Sequence, residues 1–461
     1  MRSRLKNIVS IGLLLVLLAS LVVACKSEEA TAIPEPAEEQ EPEPEEPQIE
    51  AGELEVGVLW EEGSTSYDLV KEIGDSMEQD FPGTKVIYTF NNTAARPAIE
   101  ARMQAGDPLD VDFIFEGMDP NTYDWVEGGY VMDITDAMNE ERSDGTTWKD
   151  DFNPLFLPSM EYEGEVYGAS EQVFIWLLHY NKKMFDDWGL TPPTTWDEFL
   201  ETCETIKGKG VAPVAVTGQV NYYVGMWWDS LIQRIVGTDK VMEYLYADTD
   251  MKLSDDPGFL QAAEEMIKLK DNGYLIEGWE ATDFTTVQVF FFQDRAAMML
   301  MGSWLMTEMR ESIPEGFQLA VAPFPTYEGG QGRQDAMFGR ALSWSVPAQT
   351  DVPDLAVEFL KRYTSKEASA KRAEVLGAVS PMLDVPAPAG IGGIEEVLES
   401  AKTAEFILYN YGIGSAQFGL LEAWYDPLVE MWLGDLTPEE ALDKIDANVA
   451  AVREQRAAAG E

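Results

Sequence analysis

The sequence predicts an α/β protein of two lobes, on three observations. Its 461 residues are 45% hydrophobic and 11% aromatic, and a single core stops growing near ~250 residues, so more than one core is expected. Strand-like and helix-like apolar patterns alternate along most of the chain. No repeat of fixed period runs through them, which disfavours a solenoid or a propeller.

The first segment is not part of the body. Arg2, Arg4 and Lys6 precede an apolar run from Ile8 to Leu18, the arrangement of a targeting peptide. The run is short of the ~20 residues that a bilayer-spanning helix needs. The residues Leu21-Val22-Val23-Ala24-Cys25 resemble the lipobox of bacterial lipoproteins, with Val22 where leucine is commoner. That resemblance implies cleavage after residue 24 and acylation of Cys25; the alternative is an ordinary signal peptide cut elsewhere. Residues 26 to 53 hold five prolines, eleven glutamates and one lysine. Such a segment buries too little apolar surface to offset its ordering entropy and stays extended by self-repulsion, as a tether. The expected organisation is therefore a signal peptide over 1–24, a lipidated cysteine and acidic tether over 25–53, and a body over 54–461.

Within the body, 54–60 and 85–90 are aliphatic strand candidates, separated by helical apolar spacing at Leu69, Ile73, Met77 and Phe81. A second helical stretch, 94–105, leads into the strand 111–115. This β-α-β-α-β order predicts a parallel sheet, whose ligands sit beyond the strand ends, here after Trp60 and Phe115. Thr195 and Glu198 form a capping box that opens a helix with Trp196, Phe199, Leu200, Cys203 and Ile206 on one face. Gly208 and Gly210 end it before a strand at 211–216. Further strands are predicted at 297–301, 318–322 and 342–346, and a helix at 354–363. A second capping box, Thr437 to Glu440 with Pro438 at the first helical position, opens the last helix.

Charge and composition narrow the function. Without Arg2, Arg4, Lys6, Lys26 and the eleven linker glutamates, the body keeps 28 basic and 72 acidic residues, a net charge of −44. Nucleic acid is a poor partner for such a surface. One histidine, His179, and one body cysteine, Cys203, are too few for the metal sites built from such ligands, so no metal or other cofactor is expected. His179 lies inside a predicted strand, where a structural role is expected, and Cys203 lies on the apolar stripe of a helix. There is no Gly-x-Ser-x-Gly elbow, no P-loop and no complete dinucleotide fingerprint. A glycosidase needs only two spaced carboxylates, and among 83 acidic residues that requirement discriminates nothing.

Family-specific sequence begins at Gly164-Glu165-Val166-Tyr167-Gly168. It continues through His179-Tyr180-Asn181-Lys182-Lys183-Met184-Phe185 and Pro192-Pro193-Thr194-Thr195-Trp196-Asp197-Glu198-Phe199. Later come Ala296-Ala297-Met298-Met299-Leu300-Met301-Gly302-Ser303-Trp304, Pro323-Phe324-Pro325 and Gly434-Asp435-Leu436-Thr437-Pro438-Glu439-Glu440-Ala441-Leu442. In this order the segments resemble the family 1 extracellular solute-binding proteins, the maltose-binding-protein-like receptors. The resemblance implies a two-lobed periplasmic-binding-protein-like (type II) fold with a ligand cleft between lobes. Lobe 1 would span about 54–172 and 337–364, and lobe 2 about 175–332 and 366–461. It also implies a monomeric, non-enzymatic receptor that captures a sugar or oligosaccharide by hinge closure and delivers it to an ABC permease, touching the membrane through its lipid anchor only. A polyamine or other small polar solute is the alternative ligand.

Sugars offer apolar C–H faces and rings of hydroxyls, so aromatic platforms with planar polar partners are the residues to seek. Trp304 matches a tryptophan that stacks on sugar in the family; packing in the core is its other reading. In Asn221-Tyr222-Tyr223-Val224-Gly225-Met226-Trp227-Trp228-Asp229, about half of the aromatics are expected to pack inward while Tyr222 or Trp227 meets ligand. Glu116 and Asp119 follow the strand 111–115, where family members place groups that bind ligand hydroxyls, although turn carboxylates also serve as solvated caps. Glu61 and Glu62 carry the same double reading. Arg340 is either a ligand donor or a salt-bridge partner. Trp424 and Tyr425 complete the candidates, and Glu116, Asp119 and Asp229 would supply the acidic cleft of a polyamine receptor.

Overall fold

The computed structural model describes residues 49–91, 95–114, 120–247, 249–415 and 418–459. Cys25 and the tether up to residue 48, with Glu116 and Asp119, lie outside the described residues.

Eleven strands are found among them: β1 (Glu53–Val58), β2 (Lys85–Phe90), β3 (Asp112–Ile114), β4 (Glu161–Tyr162), β5 (Glu165–Val166), β6 (Ala169–Asn181), β7 (Ala212–Ala215), β8 (Ala296–Gly302), β9 (Leu319–Ala322), β10 (Met337–Ser345) and β11 (Phe406–Leu408). β1 and β2 pair in parallel, as their β-α-β order predicts. Val111, just ahead of β3, bridges Val56 of β1 in parallel as that order predicts, and Gly57 N donates to the Val111 carbonyl at 2.8 Å; beyond it β3 pairs antiparallel with β10, a strand arriving from much later in the chain. Seven strands form the main sheet in the order β11-β10-β6-β8-β7, with β3 on β10 and β9 on β6.

The capping boxes are formed as read. Glu198 N donates to Thr195 Oγ1 at 3.3 Å and Thr195 N to Glu198 Oε2 at 3.2 Å, opening the helix Trp196–Gly208; such a cap contributes about 1 kcal/mol. Thr437 and Glu440 exchange the same bonds at 3.2 and 2.8 Å before the helix Pro438–Ala459. Cys203 is fully buried on the inner face of its helix, and burial raises its thiol pKa well above the usual value, so the thiolate is disfavoured.

Buried side chains gather into three cores. The first joins Leu54, Val56 and Val58 of β1 to Phe113, Trp344, Phe359 and Tyr363, with Ile49 already packed against it. The second, largest core holds Trp196, Trp227, Trp228, Trp424 and Trp432. The third holds Val173, Ile175, Leu177, Met337 and Ala341. β6 serves all three, because successive side chains of a strand point to opposite faces. Ala169 enters the first core, Val173, Ile175 and Leu177 the third, and Trp176, Leu178 and Tyr180 the second. Its early residues pair with β10, and those from Trp176 onward with β8 and then β9. No helix among the described residues is long and apolar enough to cross a membrane.

Candidate functional site

Where β6 passes from one core to the next, its Phe174 and Trp176 share a face. Phe174 lies directly across from Arg340 of β10, and Trp176 directly across from Gly302 of β8. Cross-strand neighbours on one face sit within side-chain reach, so the register brings aromatic and guanidinium groups together. Trp304, two residues past Gly302, lies edge-to-face against both aromatics: 5.5 Å and 88° to Phe174, 5.2 Å and 89° to Trp176. The indole can lie there only because residue 302 has no side chain; a Cβ would fall 1.8 Å from a Trp304 ring carbon.

The Arg340 guanidinium carbon stands 5.3 Å from the Phe174 ring, 5.7 Å from Trp304 and 5.3 Å from Tyr409. These separations lie within cation–π reach. Tyr409 stacks near Trp176 at 6.5 Å and meets Tyr222 edge-on at 6.3 Å. Tyr222 packs on Tyr223 at 4.4 Å, and Tyr223 on Phe284 at 4.8 Å. Behind this row Gln288 donates to Glu308 at 3.2 Å. Phe174, Tyr222, Trp304 and Arg340 are half-buried, while Trp176, Tyr223 and Tyr409 are buried behind them. The result is an aromatic wall around a guanidinium, able to cover apolar ring faces and donate hydrogen bonds to oxygens.

Trp304 and Arg340 thus stand together, with Tyr222 joined to them through Tyr409. Glu62 lies on the exposed turn after β1, and its described contacts do not bring it to the aromatic wall; its charge faces Tyr67. Trp227 is corrected from ligand contact to core. It is fully buried between Phe199 and Phe324, at 5.5 and 6.0 Å. Its helix, Asn221–Ile235, is buried all round from Tyr223 onward, and at Gly225 a Cβ would fall 2.0 Å from the Tyr425 ring. Trp424 is corrected likewise. Fully buried, it donates to Asp229 Oδ1 at 3.0 Å, while the Tyr425 hydroxyl donates to Oδ2 at 2.5 Å. Asp229 is therefore a core carboxyl rather than part of an acidic cleft. Burial pushes its pKa up to about 7, against the opposing hydrogen bonds from Tyr425 and Trp424. His179 is buried in β6 with Nδ1 3.1 Å from the Leu177 carbonyl, and burial lowers its pKa to about 4, so it is neutral at neutral pH.

Sequence reasoning missed Phe174, Trp176 and Tyr409. The two-residue spacing of Phe174 and Trp176 within a strand was the available signal. Trp60, two residues past β1, is half-buried, 6.4 Å from Trp344 and 6.5 Å from Phe113. Among the described residues, no group of three or more His, Cys, Asp or Glu could hold a metal ion.

The sequence profile of the bacterial extracellular solute-binding proteins matches residues 59–370. The multiple sugar-binding protein of Streptococcus mutans is 25% identical over 332 residues, covering 71% of this chain and 73% of its own. A probable sugar-binding periplasmic protein of Rhizobium meliloti is 25% identical over 429 residues, covering 87% and 95%. Among solved structures, a chitin oligosaccharide binding protein superposes with a TM-score of 0.70 at 23% identity, over 87% of this chain and 99% of that one. That likeness establishes the shared two-lobed periplasmic-binding-protein fold.

Proposed function

The chain belongs to the bacterial extracellular solute-binding protein family, and on that premise we propose that it captures a sugar or oligosaccharide outside the membrane and delivers it to an ABC permease. The observation that carries this reading is the aromatic wall of Phe174, Tyr222 and Trp304 around Arg340. Flat apolar rings cover the C–H faces of a sugar, and a guanidinium fork donates to its hydroxyls. The wall lies beside the strands that change core, so movement of one lobe against the other would close over a bound ring. Lobe 1, about 54–172 and 337–364, would take the first core and lobe 2, about 175–332 and 366–461, the second, with Met382 of the latter range packed in the first core. Glu116, Asp119 and Glu62 would approach the sugar from lobe 1. The lipobox-like residues before Cys25 support a lipid anchor, with the acidic tether holding a monomeric, non-catalytic body off the membrane surface.

A thermal-shift panel of mono- and oligosaccharides, polyols and polyamines against the chain from Lys26 onward tests the reading, because a ligand that binds only the native state raises the melting temperature. A sugar response that disappears in Trp304→Ala supports the function and the site together. A polyamine response without a sugar response overturns the substrate class. For the anchor, Cys25→Ser should release the protein from the membrane; membrane association as before would refute it.

A further inference from the structure

We propose that Ser303 is a positioning residue of the site: its hydroxyl holds the turn that presents Trp304 to ligand, an inference that rests on the sugar-binding reading above. Gly302 gives the indole its room, but room alone does not hold a ring in place. Trp304 is half-buried and heads the short helix Leu305–Met309, so the aim of its ring depends on how the backbone just before it is fastened to β6.

The strand register identifies the fastening. β6 and β8 pair antiparallel, with Leu177 opposite Met301 and Trp176 opposite Gly302; continued by one residue, that register sets Ile175 opposite Ser303. At a hydrogen-bonded antiparallel pair the two residues exchange both main-chain bonds. One of them is made: Ser303 N donates to the Ile175 carbonyl at 2.8 Å. The other is replaced. Ile175 N donates to Ser303 Oγ at 3.2 Å, so the side chain takes the part of the carbonyl at the residue where the chain turns out of the strand.

Ser303 also sits where β6 changes neighbours along one edge. Two residues earlier, Val173 N donates to the Val379 carbonyl at 2.9 Å; two residues later, Leu177 pairs with Met301. Between the segment at Val379 and the end of β8, the Ser303 hydroxyl is the acceptor for the Ile175 N–H. Ile175 is 0% and Ser303 7% exposed, so water does not readily replace a lost hydroxyl, and a buried N–H left unmatched is costly. The far end of the short helix has its own anchor, the Thr307 hydroxyl donating to the Leu376 carbonyl at 3.0 Å. Ile175 stands between Phe174 and Trp176, the two residues that meet the Trp304 ring at 5.5 and 5.2 Å. One residue of β6 therefore carries the bond that fixes the turn while its two neighbours carry the ring contacts, and loss of the hydroxyl loosens the turn at the end that bears the indole.

Ser303→Ala, Ser303→Cys and Ser303→Thr test the proposal on the chain from Lys26 onward, with its 13 tryptophans replaced by fluorotryptophan and Trp304→Phe used to identify the Trp304 fluorine resonance. In the ligand-free protein, Ser303→Ala should move or broaden that resonance, and Ser303→Thr, which keeps the hydroxyl, should return it. Ser303→Cys, close in size but a weaker acceptor, should fall between the two. Calorimetric titration with the saccharide found by the thermal-shift panel should show affinity reduced about tenfold in Ser303→Ala and restored in Ser303→Thr, with the melting temperature of Ser303→Ala lowered by only a few degrees. A Trp304 resonance that stays in place in Ser303→Ala overturns the proposal and leaves the sugar reading standing, because a bond that only stabilises the fold does not move the ring. A moved resonance with unchanged affinity also overturns it, as does an equal change in all three variants, which would trace to side-chain bulk rather than to the hydroxyl. Wild-type protein that binds no saccharide removes the sugar reading and this proposal with it.

Discussion

Replacing Gly302 by alanine should weaken sugar capture far more than it weakens the fold. The added Cβ would lie 1.8, 2.1 and 2.3 Å from three carbons of the Trp304 indole, whereas carbon atoms rest at about 3.5–4.0 Å. The ring must therefore retreat by roughly 1.5–2 Å. Trp304 is half-buried, so it has room to swing outward, at the expense of its edge contacts with Phe174 and Trp176. Such contacts are worth about 0.5–1.5 kcal/mol each, and overpacking typically costs about 1–3 kcal/mol. A stability loss of about 1–3 kcal/mol is expected, which in a body of this size lowers the melting temperature by only a few degrees. The displaced platform, in contrast, should reduce affinity by about 10- to 100-fold. Calorimetric titration with the sugar found by the thermal-shift panel, beside scanning calorimetry of the same protein, measures both. An unchanged Kd with a lowered melting temperature would show that Trp304 packs without meeting ligand; no change in either would show that the indole does not rest on Gly302.

Two more predictions follow from the corrected residues. Asp229, with its pKa raised from 3.8 to about 7, holds a proton in the folded state over a window in which the unfolded chain has lost it, so it makes stability fall as pH rises from about 4 to about 7. Asp229→Asn should remove that slope, gaining on the wild type by at most about 4 kcal/mol across the window, at ~1.4 kcal/mol per pH unit. Urea unfolding of both proteins from pH 4.5 to 7.5 measures the difference, and parallel curves would count against it. Trp227→Phe, deep in the second core, should cost about 1–3 kcal/mol of stability and leave the sugar Kd within twofold; a tenfold loss of affinity would return Trp227 to the site.

The elements most legible in the sequence were those fixed by local chemistry. Thr195 with Glu198, and Thr437 with Glu440, announce helix starts because the bonds close within three residues, and both are formed. β10 begins at Met337, earlier than the predicted 342, because its first residues are held by β11 and β6, partners no local pattern reveals. The same holds for the site. Trp227 and Trp304 are alike as residues; one is enclosed on every side by the second core and the other lies over a glycine at a strand end. β6 is buried on both faces, so no polar alternation marks Phe174 and Trp176, and Tyr409 depends on a turn whose first left-handed residue is a tyrosine, Tyr411, ahead of Gly412.

The three-way sharing of β6, and the late arrival of β10, set a timetable for the growing chain. Leu54 and Phe113 complete their core only with Trp344, Phe359 and Tyr363. At ~5–20 residues per second, the strands at the start wait on the order of ten seconds or more on the ribosome for the partners that close over them. Until then they have only local contacts, and most of the loop-closure entropy is still to be overcome. A nascent chain that cannot finish its first core early stays open through most of its synthesis, and its two halves must then complete their folding together.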